Sequence, residues 1–259
     1  MSEAVLYEQR DAVAVISLNR PDSLNGFNAG LREALLLALE KAHNAESVRA
    51  IVLTGEGRAF SAGADLKDGL GDEERTVQGQ LLYEYRQPLE SIAQIPKPVI
   101  AAVPGFAAGI GLAFVLHCDL VIMADDAFLL SPFTTISLVP DGGANWLLVR
   151  QLGYHRAYQL SVESERIPAD RCVELGLANR TAPAAELRET AIEWGNKLAQ
   201  RAPLSLAATK KVMRLAMDNN WADCYALEAE LQEQLRRSED AAEGIAAFFE
   251  KRDANFTGR

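Results

Sequence analysis

One aspartate stands in a sequence setting that suits proton transfer. Asp141 lies in the stretch LVPDGG, residues 138–143, between an apolar run and two glycines. A carboxyl group buried among apolar side chains has a raised pKa and can exchange protons near neutral pH. The same motif also makes a tight turn, and Asp141 could be the N-cap of a helix over 144–151. Taken by itself, the motif favours the turn or the cap.

Two other segments are rich in small residues and could bring backbone amides to an anionic oxygen. They are FSAGADLK, residues 60–67, and GFAAGIG, residues 105–111. Small side chains let a backbone approach a ligand closely, and free amides at a helix start attract negative charge. Either segment alone is weak evidence, because small-residue loops often follow strands. Together, the two segments could supply donors that converge on one atom.

The elements that must position these residues alternate between strands and helices. Apolar runs predict buried strands at 13–18, 50–55, 99–103 and 118–124. Asn28 is placed to cap a helix. The apolar stretch from Gly105 to Leu116 predicts a helix that is buried on all sides. The acidic segment 69–79 has no clear period and predicts a mobile surface segment.

The C-terminal third of the chain has a different pattern. From about residue 183 onward the periodicity is mainly helical. The sequence therefore predicts an α/β core over residues 1–195 and a helical region over 196–259.

Composition and charge limit the possible partners. The 259 residues carry a formal net charge of −10, which disfavours nucleic acid and anionic membrane surfaces. No apolar run approaches the roughly 18 to 20 residues of a membrane span, and the N-terminus lacks a signal-peptide pattern, so we expect a cytoplasmic protein. The three cysteines and three histidines are scattered, so we expect no metal site.

Several motifs in order resemble the enoyl-CoA hydratase/isomerase (crotonase) superfamily along nearly the whole chain. They are Asn19-Arg20-Pro21, FSAGADLK, PGFAAGIG, LVPDGG and the closing segment 248–256. The resemblance implies a crotonase-like α/β fold, a spiral of ββα units whose helical C-terminal region builds homotrimers, often stacked as hexamers. It also implies an acyl-CoA thioester as substrate, with coenzyme A part of that substrate rather than a cofactor.

The resemblance also assigns roles to individual residues. The backbone amides of Ala64 and Ile110 would form an oxyanion hole around the thioester carbonyl oxygen. The residues that would bind coenzyme A are Ala62, Gly63, Asp65, Leu66, Gly109, Phe248 and Lys251. Removing a proton near a thioester carbonyl moves charge onto that oxygen, and fixed donors stabilise this enolate more than the neutral ground state.

One departure from the family pattern decides which reaction we expect. Hydratases of the family use two glutamates, at the positions that Ala113 and Phe133 occupy here. Their absence removes the general acid/base pair that hydration needs. Asp141 matches the carboxylate of the family's single-acid isomerases, and LVPDGG is similar to the phenylacetate-pathway type. A single base suffices for a 1,3-proton shift, so the sequence favours an enoyl-CoA isomerase.

Further residues are expected around that acid. The residues that would line a dry acyl pocket are Phe133, Ile136, Leu138 and Trp146. Glu84, and either Tyr83 or Tyr85, could also reach the acyl pocket. Asp65 is expected to brace its loop, and Asp119 to be structural.

Two alternatives stay open at this point. The same oxyanion hole would serve a dienoyl or ring isomerase, a dehalogenase or a decarboxylase. A chain that kept the fold and lost the chemistry would instead be an acyl-CoA binding protein.

Overall fold

Two β-sheets form the core of the computed structural model, which describes residues 3–68 and 76–259. Among the described residues the larger sheet has six strands, which are paired in the order in which they are named next. Its strands are β1 (Val5–Arg10), β2 (Val13–Leu18), β3 (Ala50–Gly55), β4 (Val99–Val103), β6 (Leu120–Ala124) and β9 (Arg180–Ala182). The smaller sheet is formed by β5 (Phe106–Ala108), β7 (Phe128–Leu130) and β8 (Ile167–Pro168).

The larger sheet is parallel except at its first edge, where β1 pairs antiparallel with β2. Every residue of β2, β3 and β4 is buried, as expected for parallel strands that are covered on both faces. These three strands have the predicted bounds. The fourth predicted strand begins at Leu120 rather than residue 118.

Helices cover both sheets and make up the C-terminal part. They are α1 (Ala29–Asn44), α2 (Val77–Gly79), α3 (Arg86–Gln94), α4 (Ile110–His117), α5 (Ala144–Leu152), α6 (Tyr154–Glu163), α7 (Ala169–Glu174), α8 (Leu187–Ala199), α9 (Pro203–Ala216), α10 (Trp221–Arg236) and α11 (Glu239–Glu250). A π-helical turn, Gln80–Tyr85, joins α2 to α3. The side chain of Asn28 caps α1 as predicted, accepting from the Leu31 amide at 2.9 Å.

The helix predicted from Gly105 begins later than expected. Phe106–Ala108 forms strand β5, and the helix starts only at Ile110. The run of small and apolar residues has no period that distinguishes a strand from a helix. Residues 106–108 form a strand because β5 pairs with β7. From Ile110 to Leu116 the helix is buried throughout, which confirms the second half of the prediction.

Residues 69–75 of the predicted mobile segment lie outside the described residues. The remainder of that segment begins α2, where the Thr76 hydroxyl caps the helix by accepting from the Gly79 amide at 3.0 Å.

The C-terminal helices are fastened to the core by an ion-pair cluster. Asp119 accepts from Lys210 at 2.7 Å and from Arg214 at 3.0 Å, which ties α9 to the start of β6. Asp119 also accepts from the Val99 amide, so its role is structural. The predicted division after residue 195 falls inside α8, and the division itself stays a prediction. In the described part of the chain, no helix is long and apolar enough to cross a membrane.

Candidate active site

Asp141 lies in a tight turn directly ahead of α5. The Ala144 amide donates to the Asp141 carbonyl oxygen at 3.0 Å, so the predicted turn is present in the backbone. The N-cap of α5 is Gly143, with a φ of 82°, rather than Asp141. The Asp141 side chain therefore does not cap the helix, and its carboxyl group is left for another role.

Asp141 is half-buried, and one oxygen of its carboxyl group is shielded from water. Its Oδ1 atom is buried and has no hydrogen-bond partner among the described residues. Burial raises the pKa of Asp141 to about 6, against the smaller, opposite effect of its own backbone amide. A carboxyl group in this state is ionised near neutral pH but holds a proton well, as a general base requires.

Gly142 brings the Asp141 turn against the start of α4. Its φ is 61°, and a Cβ atom there would lie 2.7 Å from the Ala113 Cβ and 3.0 Å from the Ile110 Cγ1. Only glycine tolerates both this conformation and this approach. The turn that carries Asp141 is thus placed beside the helix whose first amide belongs to Ile110.

The two small-residue segments run side by side, as a shared active site would require. Ser61 and Ala107 form a parallel bridge, and the Ala108 amide donates to the Ser61 carbonyl at 2.9 Å. Ala64 and Ile110 each lie three residues beyond this bridge. The glycines just before them touch, since a Cβ on Gly109 would lie 3.5 Å from the Gly63 Cα.

Neither the Ala64 amide nor the Ile110 amide donates to a protein acceptor in the described part of the chain. Ile110 is the first residue of α4, where the helix dipole adds partial positive charge. Ala64 is held in place by its neighbours: the Phe27 amide donates to the Gly63 carbonyl, and the Asp65 amide donates to the Phe27 carbonyl. Two unpaired donors on adjacent segments can stabilise a negatively charged oxygen.

The loop that carries Ala64 is braced through Asp65. Its carboxylate accepts from Arg20 at 3.0 Å and from the Lys67 amide at 3.2 Å. Burial works to raise the pKa of Asp65, but the Lys67 amide and Arg20 outweigh it and hold this pKa below its usual range. Asp65 therefore stays ionised and braces the loop as expected. Leu66, one residue further along, is exposed.

The predicted acyl-pocket residues differ in their surroundings. Phe133 is buried, and its Cζ would lie 3.8 Å from a Cβ on Gly109, which places its ring at the glycine turn before α4. Ile136, Leu138 and Trp146 are 40 to 54% exposed in the single chain. A lining role for these three residues stays a prediction.

The C-terminal residues that were assigned to coenzyme A lie on or just beyond α11. Phe248 and Lys251 are both exposed, and the Phe248 ring packs edge-on against Phe249. Their contact with coenzyme A stays a prediction, as does that of Ala62, Gly63, Asp65, Leu66 and Gly109.

A buried polar cluster that includes Arg32 was not predicted. Arg32 is 3% exposed and pairs with Asp68 at 2.9 Å and with Glu84. The sequence did contain a signal that Arg32 is buried. Arg32, Leu35 and Leu39 follow an i, i+3, i+7 pattern, which places them on one face of α1.

The two candidate tyrosines are separated by the structure. Tyr85 is 3% exposed and joins the Arg32 cluster, whereas Tyr83 is 71% exposed. Glu84 forms an ion pair with Arg32, and its reach to the acyl pocket stays a prediction. Over residues 3–68 and 76–259, no group of three or more His, Cys, Asp and Glu could hold a metal ion.

Comparison with known proteins agrees with the sequence motifs. The family model described as enoyl-CoA hydratase/isomerase matches residues 8–259. A probable enoyl-CoA hydratase of Rhodobacter capsulatus is 40% identical over 255 residues, which are 98% of each chain. The 1,2-epoxyphenylacetyl-CoA isomerase of Escherichia coli is 34% identical over the full length of both chains.

Solved structures give the same result for the fold. An enoyl-CoA hydratase from Polaromonas sp. JS666 superimposes with a TM-score of 0.93 at 33% identity, covering 97% of this chain and 99% of the other. A Bacillus anthracis enoyl-CoA hydratase gives a TM-score of 0.94 at 32% identity, over 99% of this chain and all of the other. The predicted crotonase-like α/β fold is therefore confirmed, and the chain belongs to the enoyl-CoA hydratase/isomerase family.

Proposed function

We propose that this protein is an enoyl-CoA isomerase in which Asp141 is the base and the proton carrier. The observation that supports this most directly is the Oδ1 atom of Asp141, which is buried and has no hydrogen-bond partner among the described residues. It stands in a turn packed on α4, whose first amide belongs to the proposed oxyanion hole. The substrate would be a 3-enoyl-CoA thioester and the product its conjugated 2-enoyl isomer.

The proton shift needs only groups that are present in this chain. The Asp141 carboxylate removes a proton from C2, and the electron pair of the C2–H bond moves onto the thioester oxygen. The amides of Ala64 and Ile110 stabilise the resulting dienolate. The protonated Asp141 then gives its proton to C4 as the C3–C4 double bond moves to C2–C3. No water or external oxidant is consumed.

The residues at the hydratase positions argue against hydration. Ala113 contributes only a methyl group, which lies against the Gly142 turn, and Phe133 contributes a buried aromatic ring. Neither side chain can hold or deprotonate a water molecule. The names of the relatives include both hydratases and isomerases, so the side chains at the site carry more weight than the names.

Assembly into homotrimers or hexamers is part of the same proposal. The C-terminal helices expose large aromatic side chains, Trp221, Phe248 and Phe249, at 75 to 77% of their surface. Exposed apolar groups of this size are typical of surfaces that contact another protein. Light scattering of the purified protein would test the assembly.

The reaction itself can be tested by supplying both classes of substrate. We expect conversion of 3-enoyl-CoA to 2-enoyl-CoA to exceed hydration of 2-enoyl-CoA by at least about 100-fold, since a missing acid/base partner costs about 10² to 10⁴. The absorbance of the conjugated thioester follows both reactions. Comparable rates of the two would contradict the proposal. Dienoyl, halogenated and malonyl thioesters in the same panel would detect the alternative reactions.

The pH dependence should report the pKa of the buried acid. Asp141 must be ionised to accept a proton, so we expect kcat/KM to rise as the pH increases and to level off above about pH 6. Below about pH 6, kcat/KM should fall about tenfold per pH unit, because the ionised fraction of Asp141 falls by the same factor. The measurement is the initial isomerisation rate from pH 4.5 to 8 at low substrate concentration. A fall in kcat/KM that begins only near pH 4 would point to a water-exposed carboxylate instead.

A further inference from the structure

We propose that Tyr85 and Arg32 are positioning residues that fix the Ala64 amide of the oxyanion hole through the backbone of Phe27. Neither side chain was given a role in the oxyanion hole by the family resemblance. This role deepens the proposed function and depends on Ala64 belonging to the oxyanion hole.

The carbonyl oxygen of Phe27 is the point at which the contacts meet. It accepts hydrogen bonds from the Tyr85 hydroxyl at 3.2 Å, from Arg32 Nη1 at 3.2 Å and from the Asp65 amide at 3.0 Å. Arg32 Nη1 also donates to the Tyr85 hydroxyl oxygen at 3.2 Å, so the two side chains are joined to each other. A carbonyl held from three directions has little freedom to move.

The Phe27 peptide in turn determines where Ala64 lies. Its amide donates to the Gly63 carbonyl at 2.8 Å, and its carbonyl accepts from the Asp65 amide, so the two bonds flank Ala64 on either side. The Phe27 ring stacks on Phe114 of α4, with ring centroids 4.4 Å apart. Phe27 therefore connects the loop that carries one proposed donor to the helix that carries the other.

The Tyr85–Arg32 pair is itself rigid. The guanidinium of Arg32 is ion-paired to Asp68 and Glu84, and its Cζ lies 4.6 Å from the centroid of the Tyr85 ring. Both side chains are 3% exposed. Fixed packing of this kind holds a reacting geometry in place before the substrate binds.

The Tyr85 hydroxyl also lies within electrostatic reach of the catalytic acid. Burial raises the pKa of Tyr85 to about 12, and the charge of Asp141 acts in the same direction, against the opposing effect of Arg32. The phenol therefore keeps its proton at the working pH and remains a hydrogen-bond donor.

The test replaces the hydroxyl alone, in Tyr85→Phe. We expect kcat for isomerisation to fall by about 10- to 100-fold, the order of effect for a small displacement of a catalytic group. The KM for the thioester should change less than twofold, because the acyl and coenzyme A contacts are kept. Tyr7→Phe is the matched control, since it removes a hydroxyl from a half-buried tyrosine on β1 and keeps the ring that packs against Lys41.

A second measurement examines the oxyanion hole without the isomerase reaction. Acetoacetyl-CoA forms an enolate that absorbs in the ultraviolet, and an oxyanion hole favours the bound enolate over the neutral form. We expect Tyr85→Phe to lower the affinity for this probe about tenfold or more while coenzyme A itself binds unchanged. Arg32→Lys keeps the positive charge but not the forked geometry of the guanidinium. This variant should likewise lower kcat and the affinity for acetoacetyl-CoA.

The outcomes separate this role from the proposed reaction. Unchanged kcat and unchanged enolate binding in Tyr85→Phe would overturn the positioning role. An equal loss of affinity for acetoacetyl-CoA and coenzyme A would also overturn it, because general loosening of the fold would then suffice. Weaker enolate binding in Tyr85→Phe, together with full turnover in an Asp141→Asn variant, would support the positioning role and refute Asp141 as the base.

Discussion

Asp141→Asn should abolish most of the isomerisation while leaving the thioester bound. We expect kcat to fall by about 10² to 10⁴, because the amide keeps the shape of the side chain but cannot accept a proton. The KM should stay within a few-fold, since the proposed oxyanion donors are backbone groups. Steady-state kinetics with 3-enoyl-CoA provide the measurement. Undiminished turnover would show that another group is the base.

The same variant should be more stable than the natural sequence at neutral pH. The pKa of Asp141 is about 6 in the folded protein and about 4 in an unfolded chain. The folded state therefore binds more protons between these values, and stability falls as the pH rises through this window. Above it, the buried charge costs about 2 to 3 kcal/mol, which asparagine avoids.

Urea unfolding at several pH values measures this difference. Asp141→Asn should gain stability at pH 7 and lose that advantage below about pH 4, where the natural carboxyl group is protonated in both states. Asp126→Asn, at an exposed position, is the matched control and should change little. A destabilised Asp141→Asn protein at pH 7 would mean that the carboxylate is engaged in stabilising contacts.

Gly63→Ala should produce the second large loss of activity, of about 10²- to 10³-fold in kcat, comparable to the removal of one oxyanion donor. Gly63 has a φ of 104°, and a Cβ there would lie 3.0 Å from the Ala108 carbonyl oxygen. The added methyl group would push the two small-residue segments apart. The proposed oxyanion donors, the amides of Ala64 and Ile110, would then be moved apart.

Gly176→Ala is the control for backbone strain alone. Gly176 has a φ of 74°, with no atom within 4 Å of the new Cβ. Both substitutions should lose about 1 to 2 kcal/mol of stability from the left-handed conformation, and Gly63→Ala should lose more through its close contact. Only Gly63→Ala should lose activity. Equal activity of the two variants would show that the Gly63–Gly109 approach has no catalytic role.

Features that depend on local sequence were predictable. The strands β2, β3 and β4 are continuous apolar runs, and the Asn28 cap depends on a residue three positions away. That the Asp141 side chain does not cap α5 was not predictable from the local sequence, because Pro-Asp-Gly-Gly is compatible with a cap. In the structure Gly143 is the N-cap of α5, and the turn packs against α4. These contacts exist only in the folded chain.

The features that sequence reasoning missed depend on contacts between distant residues. Arg32 meets Asp68 and Glu84, which lie 36 and 52 positions further along the chain. The start of β5 likewise depends on pairing with β7, across more than twenty residues. Helical spacing could place Arg32 on the buried face of α1, but it could not identify its partners.

The π-helical turn at Gln80–Tyr85 sets the register between the side chains that precede it and helix α3, which follows it. A π-helical turn holds one residue more than an α-helical turn. Deleting one residue upstream of Tyr85 would rotate the preceding register by about 100°, since an α-helix turns once in 3.6 residues. A single insertion or deletion in this turn would therefore change which of the preceding side chains lie on the same helix face as Tyr85.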